Sequence, residues 1–282
     1  MTLFIILTAT SCLGAASHDK PVVHFGINLR YDPIVMYKRY QPMMDYLTER
    51  TPYRFELKIS RSYKETLENL VQGKTAVASL GDGAVAEAII SHGAVPILKP
   101  LNPEGKPFYR SCIVVSTASK IRKSADLKGK KIALGYRHSL TGNLIARRLL
   151  QSRGLDSGTT IVNLGKHSAV AKAVLKGEVD AGVLKDVVGR IYLKRGLQVI
   201  DCSDEFPSTP IVAGPATPTG VVAEVTRALV ALDRRKPKDL ETLTLWDEEY
   251  RYGFAAVSKG DYDVTLRLFR AIPYGCGTGC HR

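Results

Sequence analysis

Ser139, Thr141 and Gly142 stand together where an apolar run, Ile132 to Gly135, gives way to a helical pattern, Asn143 to Arg153. Two hydroxyl side chains and a glycine at a strand-to-helix junction suit one chemistry, the binding of a small oxyanion. The first amides of a helix lack intrahelical acceptors, and the helix dipole adds partial positive charge there. Such a start therefore holds phosphate-like groups through N–H donors. The competing reading of Ser139 and Thr141 is ordinary helix capping.

A second constellation closes the chain, in Cys276-Gly-Thr-Gly-Cys280-His281. Two thiols beside a histidine can add to the vinyl groups of haem, with the imidazole on iron. The usual spacing has two residues between the cysteines, so the longer Gly-Thr-Gly spacer makes this a variant of the c-type haem attachment motif. Cys276 and Cys280 would be the thioether positions and His281 the iron ligand. His24, His92 and Met43 are candidates for the other face of the iron. A local Cys276–Cys280 disulfide, free thiols, or a Cys-Cys-His metal site completed from outside are the other readings. Paired catalytic carboxylates, a nucleophile–base pair and a His-Glu metal motif do not stand at diagnostic spacing, so no enzyme is expected.

The elements that must position these residues alternate. Val22 to Leu29 reads as a strand. Ile34 to Arg50 carries Met36, Tyr40, Met43, Met44 and Leu47 at helical spacing. Strands at Phe55–Ile59, Ala76–Leu80 and Val95–Leu98 then alternate with helices at Tyr63–Gln72 and Ala84–Ile90. The middle of the chain repeats the scheme, from Ser111–Ser116 to Leu197–Ile200. Ile211–Ala213 reads as a return strand, followed by helices at Val221–Leu232 and Tyr262–Ala271. This alternation implies an α/β fold with parallel or mixed sheets flanked by helices. Two α/β units fit, with crossings near Tyr109–Cys112 and Ser208–Gly214, as in a two-lobed binding protein with a ligand cleft between lobes. The expected divisions are residues 18–110 for the first lobe, 111–213 for the second, 214–272 for the return to the first and 273–282 for the tail.

The chain has 282 residues, 45% of them hydrophobic and 24% charged, an ordinary globular composition. Residues 1–17 read as a signal peptide: Leu3 to Ala16 are uncharged, too short to span a bilayer, and Gly14 and Ala16 precede the expected cut before Ser17. Cleavage is favoured over a lipid anchor at Cys12, because Ala9-Thr10-Ser11 lacks the usual leucine. Either route makes the protein periplasmic or otherwise exported. The net charge of +13 points to nucleic acid, an acidic membrane or an anionic ligand. Its basic residues are scattered and not interleaved with aromatics, which argues against nucleic acid. Cys112 and Cys202 both fall in the second unit, and their pairing stays open.

The strand-end segment Ala133-Leu-Gly-Tyr-Arg-His-Ser-Leu-Thr-Gly142 is followed by Gly165-Lys166-His167-Ser168 and by Val179-Asp180-Ala181-Gly182. In that order they resemble the Ser-Thr-Ser-Gly loop, Gly-Ser-His element and Val-Asp-Ala-Gly strand of the phosphate/phosphite/phosphonate family of ABC-transporter substrate-binding proteins. The resemblance spans roughly residues 21–272. It implies the two-lobed periplasmic binding protein fold of type II, and a phosphonate-, phosphate- or phosphite-like oxyanion held at a helix N-terminus. It puts Ser139, Thr141 and Gly142 at the anion oxygens and makes His167 a further donor. Tyr31 falls where the first lobe closes over the ligand, and Asp186 where an acidic group faces it. The implied partners are the small oxyanion and an ABC permease of the inner membrane, with a monomeric receptor. Leu140 departs from the pattern by removing a hydroxyl. Asp82 and Val85 stand near where the family has Gly-Pro and a tyrosine, and a carboxylate there repels an oxyanion unless it meets an amine or a protonated oxygen. The alternative function is a haem c-bearing sensor or electron carrier on the same fold.

Overall fold

A computed structural model describes residues 20–137 and 139–270. The signal segment with Cys12 and the tail with Cys276, Cys280 and His281 lie outside the described residues.

The first lobe begins β1 (Val22–Asn28), α1 (Pro33–Arg50), β2 (Arg54–Ser60), α2 (Tyr63–Val71), β3 (Val77–Ser79), α3 (Asp82–His92) and β4 (Val95–Pro100). Local chemistry explains the starts. Asp32 accepts from the Ile34 amide at 3.0 Å and Pro33 pre-sets the first turn of α1. Ser62 accepts from the Glu65 amide at 3.1 Å to open α2. The α1 stripe of Met36, Tyr40, Met43, Met44 and Leu47 is fully buried against Phe25 and Ile27 of β1. An apolar stripe at this spacing has to be covered by a sheet or by other helices.

The chain then enters the second lobe through β5 (Phe108–Tyr109) and β6 (Ser111–Ser116), followed by β7 (Lys131–Leu134). A π-helical turn, Leu140–Ile145, leads into α4 (Ala146–Ser152). The lobe continues with β8 (Thr160–Asn163), α5 (His167–Leu175), β9 (Ala181–Lys185), α6 (Asp186–Leu193) and β10 (Leu197–Cys202). Its five strands run in the order β10-β6-β9-β7-β8, with β7 parallel to β8 and β9, and β6 antiparallel to β9 and β10. One face packs on Leu149 and Leu150 of α4, the other on Val170, Ala171 and Val174 of α5. Cys112 and Cys202 are directly opposite in the β6–β10 register and form a disulfide, which settles their pairing.

The return runs through β11 (Phe206–Pro207), β12 (Ile211–Ala213), α7 (Thr219–Val230), α8 (Pro237–Thr244), β13 (Phe254–Ala256) and α9 (Asp263–Arg270). β11 pairs antiparallel with β5, so the two crossings between lobes lie side by side as a short ribbon. β12 inserts between β3 and β4 of the first sheet, whose order is β13-β4-β12-β3-β1-β2. The return therefore precedes Ile211, whereas the sequence reading kept residues up to 213 in the second lobe. A short strand buried on both faces carries no mark of the sheet that will accept it. Ala86 of α3, Tyr109, Leu140, Ile145 and Phe269 of α9 form one buried cluster that joins both lobes near the ribbon.

Candidate functional site

A cavity of about 130 Å³ lies between the lobes at the carboxyl ends of the strands. In open α/β sheets ligands bind at these ends, because the loops and the helix starts that follow them converge there. The residues after β1, β3, β7 and β8 supply Arg30 and Tyr31, Asp82, Ser139 and His167 respectively, and the last residue of β9 supplies Lys185. Glu249 and Tyr250 come from the segment between α8 and β13.

The charged groups form a chain across the cleft. Arg30 of the first lobe pairs with Glu249 and also donates to the Ser79 hydroxyl at 2.8 Å. Lys185 of the second lobe donates to the other oxygen of Glu249 at 2.6 Å and to the Thr209 hydroxyl at 3.1 Å. Thr209 donates to Asp82, which accepts from the Thr141 hydroxyl at 2.7 Å and from its amide at 3.4 Å. Arg30, Glu249, Lys185, Thr209, Asp82 and Thr141 are thus one connected network between lobes. Burial pushes the Glu249 carboxyl up, but Lys185 and Arg30 outweigh it and hold the group at about 2. Burial lowers Lys185, and Glu249 and Asp82 reverse that and keep it above the ordinary lysine value.

His167 opens α5 and faces the cavity. Burial, reinforced by the charge on Lys185, pushes its pKa down from 6.5 to about 4, so the ring is neutral at pH 7. Its Nδ1 is buried without a hydrogen-bond partner among the described residues. An orphaned buried nitrogen carries a desolvation penalty, which a bound polar ligand would relieve.

The loop ahead of α4 is held tightly. The Gly135 amide donates to the Gly142 carbonyl at 2.7 Å, and a Cβ on either glycine would sit 3.1 Å from the other's Cα. Only glycine allows backbones so close. Ser139 lines the cavity, and its hydroxyl accepts from the Gly142 amide at 2.9 Å, so Ser139 caps its own helix as well. Thr141 is fully buried with its hydroxyl and amide on Asp82, and its carbonyl accepts from Ser111 at 2.7 Å. Thr141 and Gly142 therefore stand behind the cavity wall with their donors engaged.

Tyr31 lines the cavity beneath the Arg39 guanidinium, 4.5 Å from the ring centroid, and Arg39 is fixed by buried Asp247 at 3.1 Å. Tyr63 and Tyr136 meet edge to face across the cleft at 5.4 Å. Gly81 makes room for that contact, since a Cβ there would lie 2.3 Å from the Tyr63 ring.

Asp186 is placed otherwise than the family pattern implies. Its carboxylate accepts from the Val187 amide at 2.7 Å at the start of α6, and it is Lys185, one residue earlier, that lines the cavity. Burial raises the Asp186 carboxyl above its ordinary value. Sequence reading missed Arg30, Lys185 and Glu249. The first two follow or end strands whose carboxyl ends face the cleft, a signal that could have found them. Glu249 carries no local signal, because only the return of the chain brings it to the site.

Solved structures with this fold include a binding-protein component of an ABC phosphonate transporter from Pseudomonas aeruginosa, 20% identical over 89% of this chain and 86% of that one, TM-score 0.71. PhnD1 from Prochlorococcus marinus, in complex with methylphosphonate, is 16% identical over 89% and 98%, TM-score 0.75. A Xanthomonas citri protein bound to chloride is 20% identical over 88% and 96%, TM-score 0.67. These likenesses establish the two-lobed fold. Residues 25–262 match the family model described as ABC transporter, phosphonate, periplasmic substrate-binding protein, and the chain belongs to that family.

Proposed function

We propose that this chain is the monomeric receptor of an ABC importer and captures a phosphonate-, phosphate- or phosphite-like oxyanion in the cleft. Membership of the family makes it a periplasmic substrate-binding protein, and no helix among the described residues is long and apolar enough to cross a membrane. The observation that carries the ligand reading is the convergence of Arg30 and Lys185, from opposite lobes, on one carboxylate in the cavity. Glu249 there does what a bound oxyanion would do: it neutralises two buried cations and ties the lobes together. An arriving oxyanion competes for those cations, meets His167 and Ser139, and gains the outward amides at the start of α5. The lobes turn about the β5–β11 ribbon as it enters, and the closed form is read by the permease. Binding involves no bond making.

The test is calorimetric titration of exported, ligand-stripped protein with methylphosphonate, phosphite and phosphate. At least one should bind, and Arg30→Ala should weaken it by about 10- to 100-fold, the loss of a charge-assisted hydrogen bond. Failure of all three anions to bind the stripped protein rejects the reading.

A further inference from the structure

We infer that Asp82 selects the ligand by its proton: the site takes an oxyanion as a monoanion that keeps one hydroxyl, which donates to the Asp82 carboxylate. This rests on the oxyanion reading above and sharpens it.

The argument begins with position. Asp82 opens α3 of the first lobe, yet its carboxylate reaches across the cleft to the start of the Leu140 turn. It accepts there from the Thr141 hydroxyl and amide, the donors that would otherwise receive an anion oxygen. Thr209 donates to its other oxygen. A carboxylate oxygen has capacity for two acceptances: Thr141 fills both on one oxygen of Asp82, Thr209 takes one on the other, and one acceptance stays open on a residue that lines the cavity. An ionised ligand oxygen brings only lone pairs to that spot, and two acceptors placed face to face repel. A ligand P–OH brings the missing donor.

Charge balance points the same way. Arg30 and Lys185 are the enclosed cations of the cavity, and Glu249 and Asp82 are its carboxylates. The two pairs cancel, and Lys166 at the exposed rim adds one positive charge. A monoanion is matched by that remainder. A dianion adds a charge with no partner, and uncompensated charge in a desolvated cleft is costly. Sulfate, which has no proton to give at neutral pH, is the discriminating probe.

The experiment titrates stripped wild-type protein with methylphosphonate and with sulfate, at a pH below the second ionisation of methylphosphonate. Methylphosphonate should bind about 100-fold or more tighter than sulfate, the cost of leaving a buried acceptor opposed. Asp82→Asn, which removes the charge and supplies an N–H donor, should narrow that gap at least about tenfold, chiefly by gaining sulfate. Asp82→Ala, lacking both acceptor and donor, should lose methylphosphonate and gain less sulfate than Asp82→Asn. Equal binding of sulfate by the wild type, or an unchanged ratio in Asp82→Asn of wild-type thermal midpoint, overturns the inference alone. Binding of an aminoalkylphosphonate but not methylphosphonate also overturns it, since the carboxylate then meets an ammonium. Silence from methylphosphonate, phosphite and phosphate alike removes the oxyanion reading itself, and this inference with it.

Discussion

His167 illustrates how one side chain ties binding to stability. In the folded protein its pKa is about 4, against 6.5 when exposed, because burial and Lys185 oppose the charged ring. Between those values the unfolded chain holds the proton and the native state does not. Stability therefore falls as pH drops through that window. Denaturant unfolding should report a loss of about 2 kcal/mol between pH 7.5 and pH 5 from this residue. His167→Gln should remove that part of the slope, and an unchanged slope would show that the ring is not buried neutral. The Glu249 carboxyl, held at about 2, contributes stability that is present above its ordinary value of 4.5 and disappears only below it, so the two effects separate in pH. His167 was reachable from its place before a helix in a family-like motif. Lys185 had a signal of its own, the end of a strand, but Asp186 is the neighbour that fits the family pattern, and the strand's direction into the cleft decides between the two.

Among elements, the periodic helices and the apolar strands were legible, whereas α8 and β13 were not. The buried stripe of α1 and the caps of α1 and α2 are written in the sequence around Asp32, Pro33 and Ser62. α8 buries only Leu243 among its residues, and β13 is a three-residue edge strand, so neither has a period to read. β12 was visible as a strand, but its sheet was not, since pairing with β3 and β4 is decided by the path of the chain after the ribbon. The disulfide lies at this same junction. Cys112 and Cys202 join β6 and β10 beside the ribbon strands and close a loop across a separation of 90 residues. Cross-linking so long a loop stabilises by restricting the unfolded chain, by about 4 kcal/mol. The double change Cys112→Ala and Cys202→Ala should lower unfolding stability by that order in the exported protein. Equal midpoints for the two proteins would mean the bond is not formed there. An oxidising compartment, as the family implies, is where such a bond persists.

At the scale of the whole molecule, the network from Arg30 to Thr141 makes closure a property of the protein as well as of its ligand. Lys185→Met removes the second lobe's contact with Glu249 while leaving Arg30 on that carboxylate. Small-angle scattering of wild-type protein should give a radius of gyration of about 18–19 Å, as for a compact chain of this size. The Lys185→Met protein should be larger, and its oxyanion affinity about 10- to 100-fold weaker. A wild-type radius in the variant would show that apolar contacts such as the Ala86–Leu140–Phe269 cluster hold the lobes without the ion pair. The net charge of +13 belongs to this scale too, since a positively charged molecule attracts anions over distances longer than any contact in the cleft.

The sequence by itself determined the α/β class, the two-unit organisation and the family motifs, because periodicity, caps and strand-end loops are local properties. It also made Asp82 a marked departure. What the tertiary structure decided was which charges share the cavity. Arg30, Asp82, Lys185 and Glu249 are spread over the chain from residue 30 to residue 249, and only the crossing and return through the β5–β11 ribbon bring them within hydrogen-bond reach. Electrostatic balance in a cleft depends on distances and desolvation in space, and neither is carried by spacing along a chain.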